Sequence, residues 1–200
     1  MWWWTVFIVL QAFGMPAEKP FWQVKEKAIE RIKNREILVV VKSTPSEKGK
    51  RLLAQGGGRV NAPADFTFQR ALDFDQLPKH SSYIEEAVFN QDAQELIIKV
   101  SAYGYHDKMR IKLDVRDKSE PKELGYEVLE GSLKGFSGLF WFQPLTGKLS
   151  EVGLEGQLLY TKIPIPRVFL EFGMEVVLQR FAGKMREYAE DEFKKKEKMP

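Results

Sequence analysis

The sequence predicts an α+β domain: a curved antiparallel sheet wrapped around a long C-terminal helix, with two short helices after the first strands. Three observations carry this. Met109, Ile111, Leu113 and Val115 alternate with Arg110, Lys112, Asp114 and Arg116, a period of two that gives a strand one wet and one apolar face. The predicted strands are joined by short turn-forming stretches, which favours antiparallel hairpins over parallel crossovers. Last, Leu170, Met174, Val177, Phe181, Met185 and Tyr188 recur at steps of three or four, forming an apolar stripe along a helix predicted to run unbroken from Pro166 to Lys196.

In chain order, Phe21, Val24, Ala28 and Ile32 mark one face of a helix over Pro20 to Arg35, packed outside the domain. Ile37 to Val41 is a β-branched strand. A turn at Thr44 to Gly49 returns the chain along Arg51 to Val60. Gly56, Gly57 and Gly58 lack the Lys-Ser/Thr of a phosphate loop, so they predict a bulge or sharp bend. Pro63 near the first helical position and Asp65 after it open a short helix carrying Phe66, Phe68 and Leu72. A second turn at Asp75 to Ser82 is interrupted by Pro78. Strands follow at Ala87 to Asn90, Gln94 to Tyr105, Met109 to Arg116, Leu124 to Glu130, Ser137 to Gln143 and Ser150 to Ile163. His106-Asp107-Lys108 and Pro144 to Lys148 are read as turns between them. Pro164 and Pro166 end the last strand, and Phe169, Phe172 and Val176 widen the apolar stripe of the helix. Glu190 to Lys198 reads as a solvated, fraying end.

Two hundred residues with 44% hydrophobic and 30% charged side chains suit one globular domain with a substantial core. A net charge of +3 and the lack of a basic stripe interleaved with aromatics argue against a nucleic-acid partner. The absence of cysteine excludes disulfides, thiolate metal sites and a Cys nucleophile. Trp2 to Leu10 is almost wholly apolar, with Ala12 and Gly14 before Met15 and Pro16. This resembles a secretory signal peptide over residues 1–14, although no Lys or Arg precedes the run. The expectation is a periplasmic or secreted protein; the alternative is an N-terminal membrane anchor. Residues 15–35 then form a helical extension and residues 36–196 the main domain.

Chemistry-bearing groups are few. His80 and His106 have no metal-ligand spacing, and no nucleophile elbow surrounds a serine. Neither a catalytic residue nor a cofactor or metal ligand is assigned. Glu171 and Glu175, an i, i+4 pair, are read as a solvated charged face. The aromatic residues are more informative. Tyr103, Tyr105, Phe140, Phe142, Tyr160, Phe169 and Phe172, with Val176, supply rings and apolar surface that either fill a core or line a cavity beneath the helix. Phe140 and Phe142 share one strand face, with Trp141 on the other. Arg180, charged between apolar neighbours, is the candidate to hold a polar head group.

The strand pair, the phrase Val60-Asn61-Ala62-Pro63 opening two short helices, and Leu77-Pro78-Lys79-His80 leading into a strand resemble the START-like superfamily. That superfamily includes polyketide cyclase and coenzyme-Q-binding relatives. The resemblance spans roughly residues 36 to 190 and implies a helix-grip fold with a deep apolar cavity between sheet and helix. It implies non-enzymatic binding or transport of a hydrophobic small molecule such as a lipid or quinone, with transient membrane contact compatible. Two alternatives stay open: a cyclase- or dehydratase-type enzyme using a pocket Tyr or carboxylate as general acid or base, and a protein-interaction module whose cleft is filled. The ligand and the oligomeric state are not fixed by the sequence.

Overall fold

The computed structural model describes residues 20–102, 104–163 and 169–198. The expected signal segment 1–14, Tyr103, Pro164 and Pro166 lie outside them. Eight antiparallel strands form one sheet in the order β1-β2-β8-β7-β6-β5-β4-β3. They are β1 (Leu38–Ser46), β2 (Gly49–Val60), β3 (Ile84–Asn90), β4 (Glu95–Ala102), β5 (Tyr105–Arg116), β6 (Lys122–Glu130), β7 (Ser137–Thr146) and β8 (Leu149–Tyr160). The helices are α1 (Phe21–Val24), α2 (Glu26–Lys33), α3 (Ala64–Ala71), α4 (Leu77–His80) and α5 (Met174–Lys198). A 3-10 turn, Phe74–Gln76, precedes α4, and a π-type turn, Phe169–Gly173, opens α5. The predicted α+β architecture is therefore present: a curved antiparallel sheet, two short helices after β2 and a long terminal helix.

The alternation predicted for Met109 to Val115 sorts the sheet into two faces. Leu96, Ile98, Leu113, Leu124 and Phe142 pack with Phe68, Phe74 and Leu77 in one inner cluster. Val41, Leu52, Ala54, Val128, Phe136, Leu158 and Leu170 form a second. Phe140 joins the first cluster while Trp141 points to the opposite, convex face, as the strand period requires.

The convex face carries the N-terminal helices. The single predicted helix is two: Lys25, at φ −83° and ψ 116°, breaks it. Trp22, which the helical spacing passed over, becomes the anchor at 1% exposure, and Val24 is 62% exposed. The Trp22 ring stacks on Trp141 at 5.7 Å and 11°. This contact also corrects the reading of the glycine run. Pairing continues without a register shift through Gly56, Gly57 and Gly58, so there is no bulge. A Cβ on Gly57 would stand 2.5 Å from Trp22 Cε2; the glycine makes room for the indole.

Other local expectations shift for identifiable reasons. The β4–β5 reversal falls at Gly104, whose φ of 78° favours glycine. His106, Asp107 and Lys108 are consequently inside β5, not a turn. Pro45 and Ser46 belong to β1, and Pro144 to β7, which shortens both predicted hairpin loops. Pro78 sits in the first turn of α4, where its missing N–H costs nothing. The end of α5 is not a frayed tail: Ala189 and Glu190 are buried, and Phe193 packs 5.3 Å from Phe66.

Glu171 and Glu175 do not form a solvated face. Glu175 Oε1 accepts the Val41 N–H at 2.9 Å, and Glu171 Oε1 accepts the Ser43 N–H at 3.1 Å. Gln179 donates to the Ile37 carbonyl at 2.8 Å. Two residues of strand advance the chain almost as far as four residues of helix, about 6–7 Å. Glu171 and Glu175 therefore meet alternate N–H groups along the exposed edge of β1, and Gln179 reaches the Ile37 carbonyl just before the strand begins. Further on, Arg186 donates to the Arg35 carbonyl, and Glu190 accepts from Arg35 at 2.5 and 2.7 Å and from the Asn61 N–H at 2.9 Å. One polar row of the helix closes a sheet edge that would otherwise invite foreign strands. The adjoining apolar row turns toward the concave face.

Candidate functional site

The concave face and α5 bound the candidate site. Met109, Ile111 and Tyr126 touch both inner clusters. From α5, Met174 and Leu178 reach the second cluster, and Phe181 and Met185 the first. All seven are half-buried, although they lie between two buried cores. Side chains in a closed interior would be sealed from water. Here the seven keep partial exposure at the junction of the sheet and α5.

Tyr126 is the residue that sequence reasoning missed. Its ring packs between Phe136 and Phe140, at centroid distances of 5.7 and 5.4 Å. It lies over the opposed pair Gly138 and Gly156, where a Cβ on Gly156 would stand 2.3 Å from the Tyr126 hydroxyl. That hydroxyl donates to the Glu155 carbonyl at 3.4 Å. Burial pushes the phenol well above the ordinary tyrosine range. Desolvated, yet not fully covered, it sits at the junction of the two inner clusters. A signal was present: Leu124, Tyr126 and Val128 alternate with Glu123, Gly125 and Glu127, so Tyr126 carries the single polar tip in an inward row.

The predicted site residues divide. Phe140 is half-buried beside Tyr126. Phe142 is 3% exposed and meets Phe68 edge-on at 5.3 Å, which places it in the packed core. Tyr160 packs on the second cluster and donates to Ser43 Oγ at 3.1 Å. Tyr105 donates to Ser132 Oγ, at the end where β5 begins. Val176 is half-buried on α5. Phe172 is 66% exposed and lies at the surface. Arg180 donates to the Tyr83 hydroxyl at 2.9 Å, outside the concave face. Tyr103 and the side chain of Phe169 lie outside what the structure describes.

Two open recesses lie elsewhere. One of about 620 Å³ crosses the convex face over Gly125, Leu139 and Trp141. Another of about 1090 Å³ runs between α4 and α5, past His80, Arg180 and Tyr188. Of the predicted site residues only Arg180 lines either one. His80 stacks on Tyr188 at 4.3 Å, and the Tyr188 hydroxyl donates to Asp73 at 2.8 Å. Burial, then the hydrogen bond and charge of Asp73, push that phenol up to about 12. On the convex face, burial raises the Glu155 carboxyl, an effect that a hydrogen bond from Gln55 partly offsets. Among the described residues, no three acidic or histidine side chains cluster as a metal site.

Solved structures share this arrangement of sheet and helix. A START superfamily protein from Mycobacterium smegmatis superposes with a TM-score of 0.59 at 15% identity, covering 70% of this chain and 97% of its own. The ZhuI aromatase/cyclase from Streptomyces sp. R1128 gives 0.58 at 14% identity, covering 70% and 94%. The di-domain aromatase/cyclase StfQ of the steffimycin biosynthetic pathway gives 0.53 at 15%, covering 68% of this chain and 44% of its own. The chain has the START-like helix-grip fold. No protein-family model matches the sequence, and no curated protein matches it.

Proposed function

We propose that this chain binds an apolar small molecule, a lipid, quinone or comparable compound, in the groove between the concave face and α5. One observation carries the reading: Met109, Ile111 and Tyr126 stand between two buried clusters and remain half-buried. Apolar walls with a single convergent hydroxyl suit a ligand with a long hydrocarbon body and a small polar group. The role is binding or transport, with Tyr126 orienting the ligand. Its fold is shared with proteins described as START superfamily members and as aromatase/cyclases. Native mass spectrometry of protein purified from its own host tests the proposal. A co-purifying apolar mass supports it; a bare chain that also fails to take up lipid at saturation refutes it.

Export belongs to the same reading and rests on the apolar run Trp2 to Leu10 ahead of Gly14 and Met15. N-terminal sequencing of the mature protein tests it. A first residue at Met15 is expected, and retention of Trp2 contradicts cleavage.

A further inference from the structure

We propose that the tip of the β1–β2 hairpin and the start of α5 form a docking surface for an anionic membrane. This rests on the ligand-binding reading and adds the place where the ligand is exchanged.

Three elements converge on Ser43 of β1. Its N–H is held by Glu171 and its hydroxyl by Tyr160, while β2 pairs alongside. Around this point lie Lys42 on β1, Lys48 at the hairpin tip, Lys50 and Arg51 on β2, and Lys162 just beyond β8, all exposed. Arg51 pairs directly with Leu159, and Lys42 lies diagonally from Arg51 on the same face. Lys50 pairs with Tyr160 and so occupies the other face. The cations therefore surround the tip from both sides. None of the five takes part in an ion pair among the described residues, whereas Arg31, Arg35, Lys99, Arg110, Arg116 and Lys184 all do. Among the described residues the acidic groups near this end are Glu47, Glu171 and Glu175, the last two turned onto the Ser43 and Val41 N–H groups, so the five cations outnumber them.

Two large apolar side chains are exposed at this end, Leu159 on the outer face of the sheet and Phe172 on the α5 side. Phe172, next to Glu171, is 66% exposed, and Leu159, opposite Arg51, is 55% exposed. Exposed apolar groups beside a net excess of cations match a bilayer interface with anionic head groups, where hydrocarbon and phosphate lie one above the other. The location adds to this. Tyr160, Ile163 and Met174, at this end, pack on the second inner cluster. A membrane seated here would face the end of the groove, so an apolar ligand could pass between them without crossing water.

The test uses the full chain and two vesicle types, phosphatidylcholine alone and phosphatidylcholine mixed with phosphatidylserine. The ratio of partitioning between them cancels any contribution from the apolar N-terminal run. Wild type is expected to prefer the anionic vesicles, the preference falling with salt. Replacing Lys48, Lys50 and Arg51 by Gln should lower it about fivefold per cation. Because the chain has no cysteine, Phe172→Cys carries a solvatochromic label at one position. Its emission should shift to the blue on anionic vesicles, and that of a label placed by Val88→Cys, 51% exposed on the far edge strand, should not. Equal partitioning of wild type, an undiminished preference in the triple variant, or equal shifts at both labels would overturn the proposal. Retention on heparin without a vesicle preference would overturn it in favour of a polyanion partner. Lipid uptake measured without vesicles keeps the two readings apart: the triple variant should retain it, and its absence from wild type would refute the ligand proposal instead.

Discussion

Trp22→Ala should be among the most costly single substitutions in this protein. The indole is 1% exposed, stacked on Trp141 at 5.7 Å and edge-on to Phe21 at 5.1 Å, and it fills the space left by Gly57. Its Nε1 donates to Glu151 at 3.3 Å, a carboxylate that is itself only 7% exposed. A buried Trp removes some 150–250 Å² from water, and truncation to Ala in such sites costs about 3–5 kcal/mol. For a chain of this size that corresponds to a drop in Tm of roughly 10–15 °C. Thermal unfolding followed by far-UV circular dichroism measures it. Trp22→Phe separates the two contributions: it keeps most of the apolar contact but leaves Glu151 with Gln23 as its remaining side-chain donor, and should cost about 1–2 kcal/mol. The sheet stands between Trp22 and the groove, so lipid uptake at a temperature where the variant is folded should equal that of wild type. A change below about 1 kcal/mol for Trp22→Ala would show that α1 and α2 are not part of the folded unit.

Gly57→Ala presses a methyl group onto the same indole and should destabilise by about 1–3 kcal/mol; the double variant with Trp22→Ala should cost less than the sum, which a thermodynamic cycle reads. Replacing Glu171 and Glu175 together by Ala frees the Val41 and Ser43 N–H groups. Hydrogen exchange at those two amides should accelerate, and self-association should rise as the β1 edge opens; unchanged exchange would contradict the edge-sealing role. Tyr188 has a phenol raised to about 12 by burial and Asp73. A raised tyrosine stabilises the fold fully below its unfolded value near 10 and loses that contribution as pH climbs toward 12. The alkaline decline of Tm should therefore be shallower in Tyr188→Phe, and parallel curves would refute the linkage.

The features legible from sequence were those set by period and punctuation. The alternation from Met109 to Val115 placed β5, the short turns implied an antiparallel meander, and the stripe from Leu170 to Met185 gave the gripped helix. What stayed hidden depends on partners distant along the chain. Nothing in Gly56 to Gly58 announces an indole arriving from residue 22. Glu171 and Glu175 look like any solvated i, i+4 pair until the edge of β1 is laid beside them. Glu190 reads as part of a charged tail, yet Arg35 and the Asn61 N–H bury it. For the site, aromatic content marked the right strands but not the right rings. Phe142 went to the core, Phe172 to the surface, and Tyr126 emerged only once β6 was placed against β7 and β8.

On the proposed reading, the apolar row of α5 and the concave sheet face enclose unfilled volume. Ile111→Trp tests it with one protein and two readings: uptake of an apolar solvatochromic dye, and Tm. If the groove is vacant, the added ring occupies it, dye uptake is lost and Tm stays within about 2 °C of wild type. A packed interior would instead show an overpacking loss of about 1–3 kcal/mol, a fall in Tm of roughly 4–10 °C, and that result, or dye uptake undiminished by the substitution, would contradict the account.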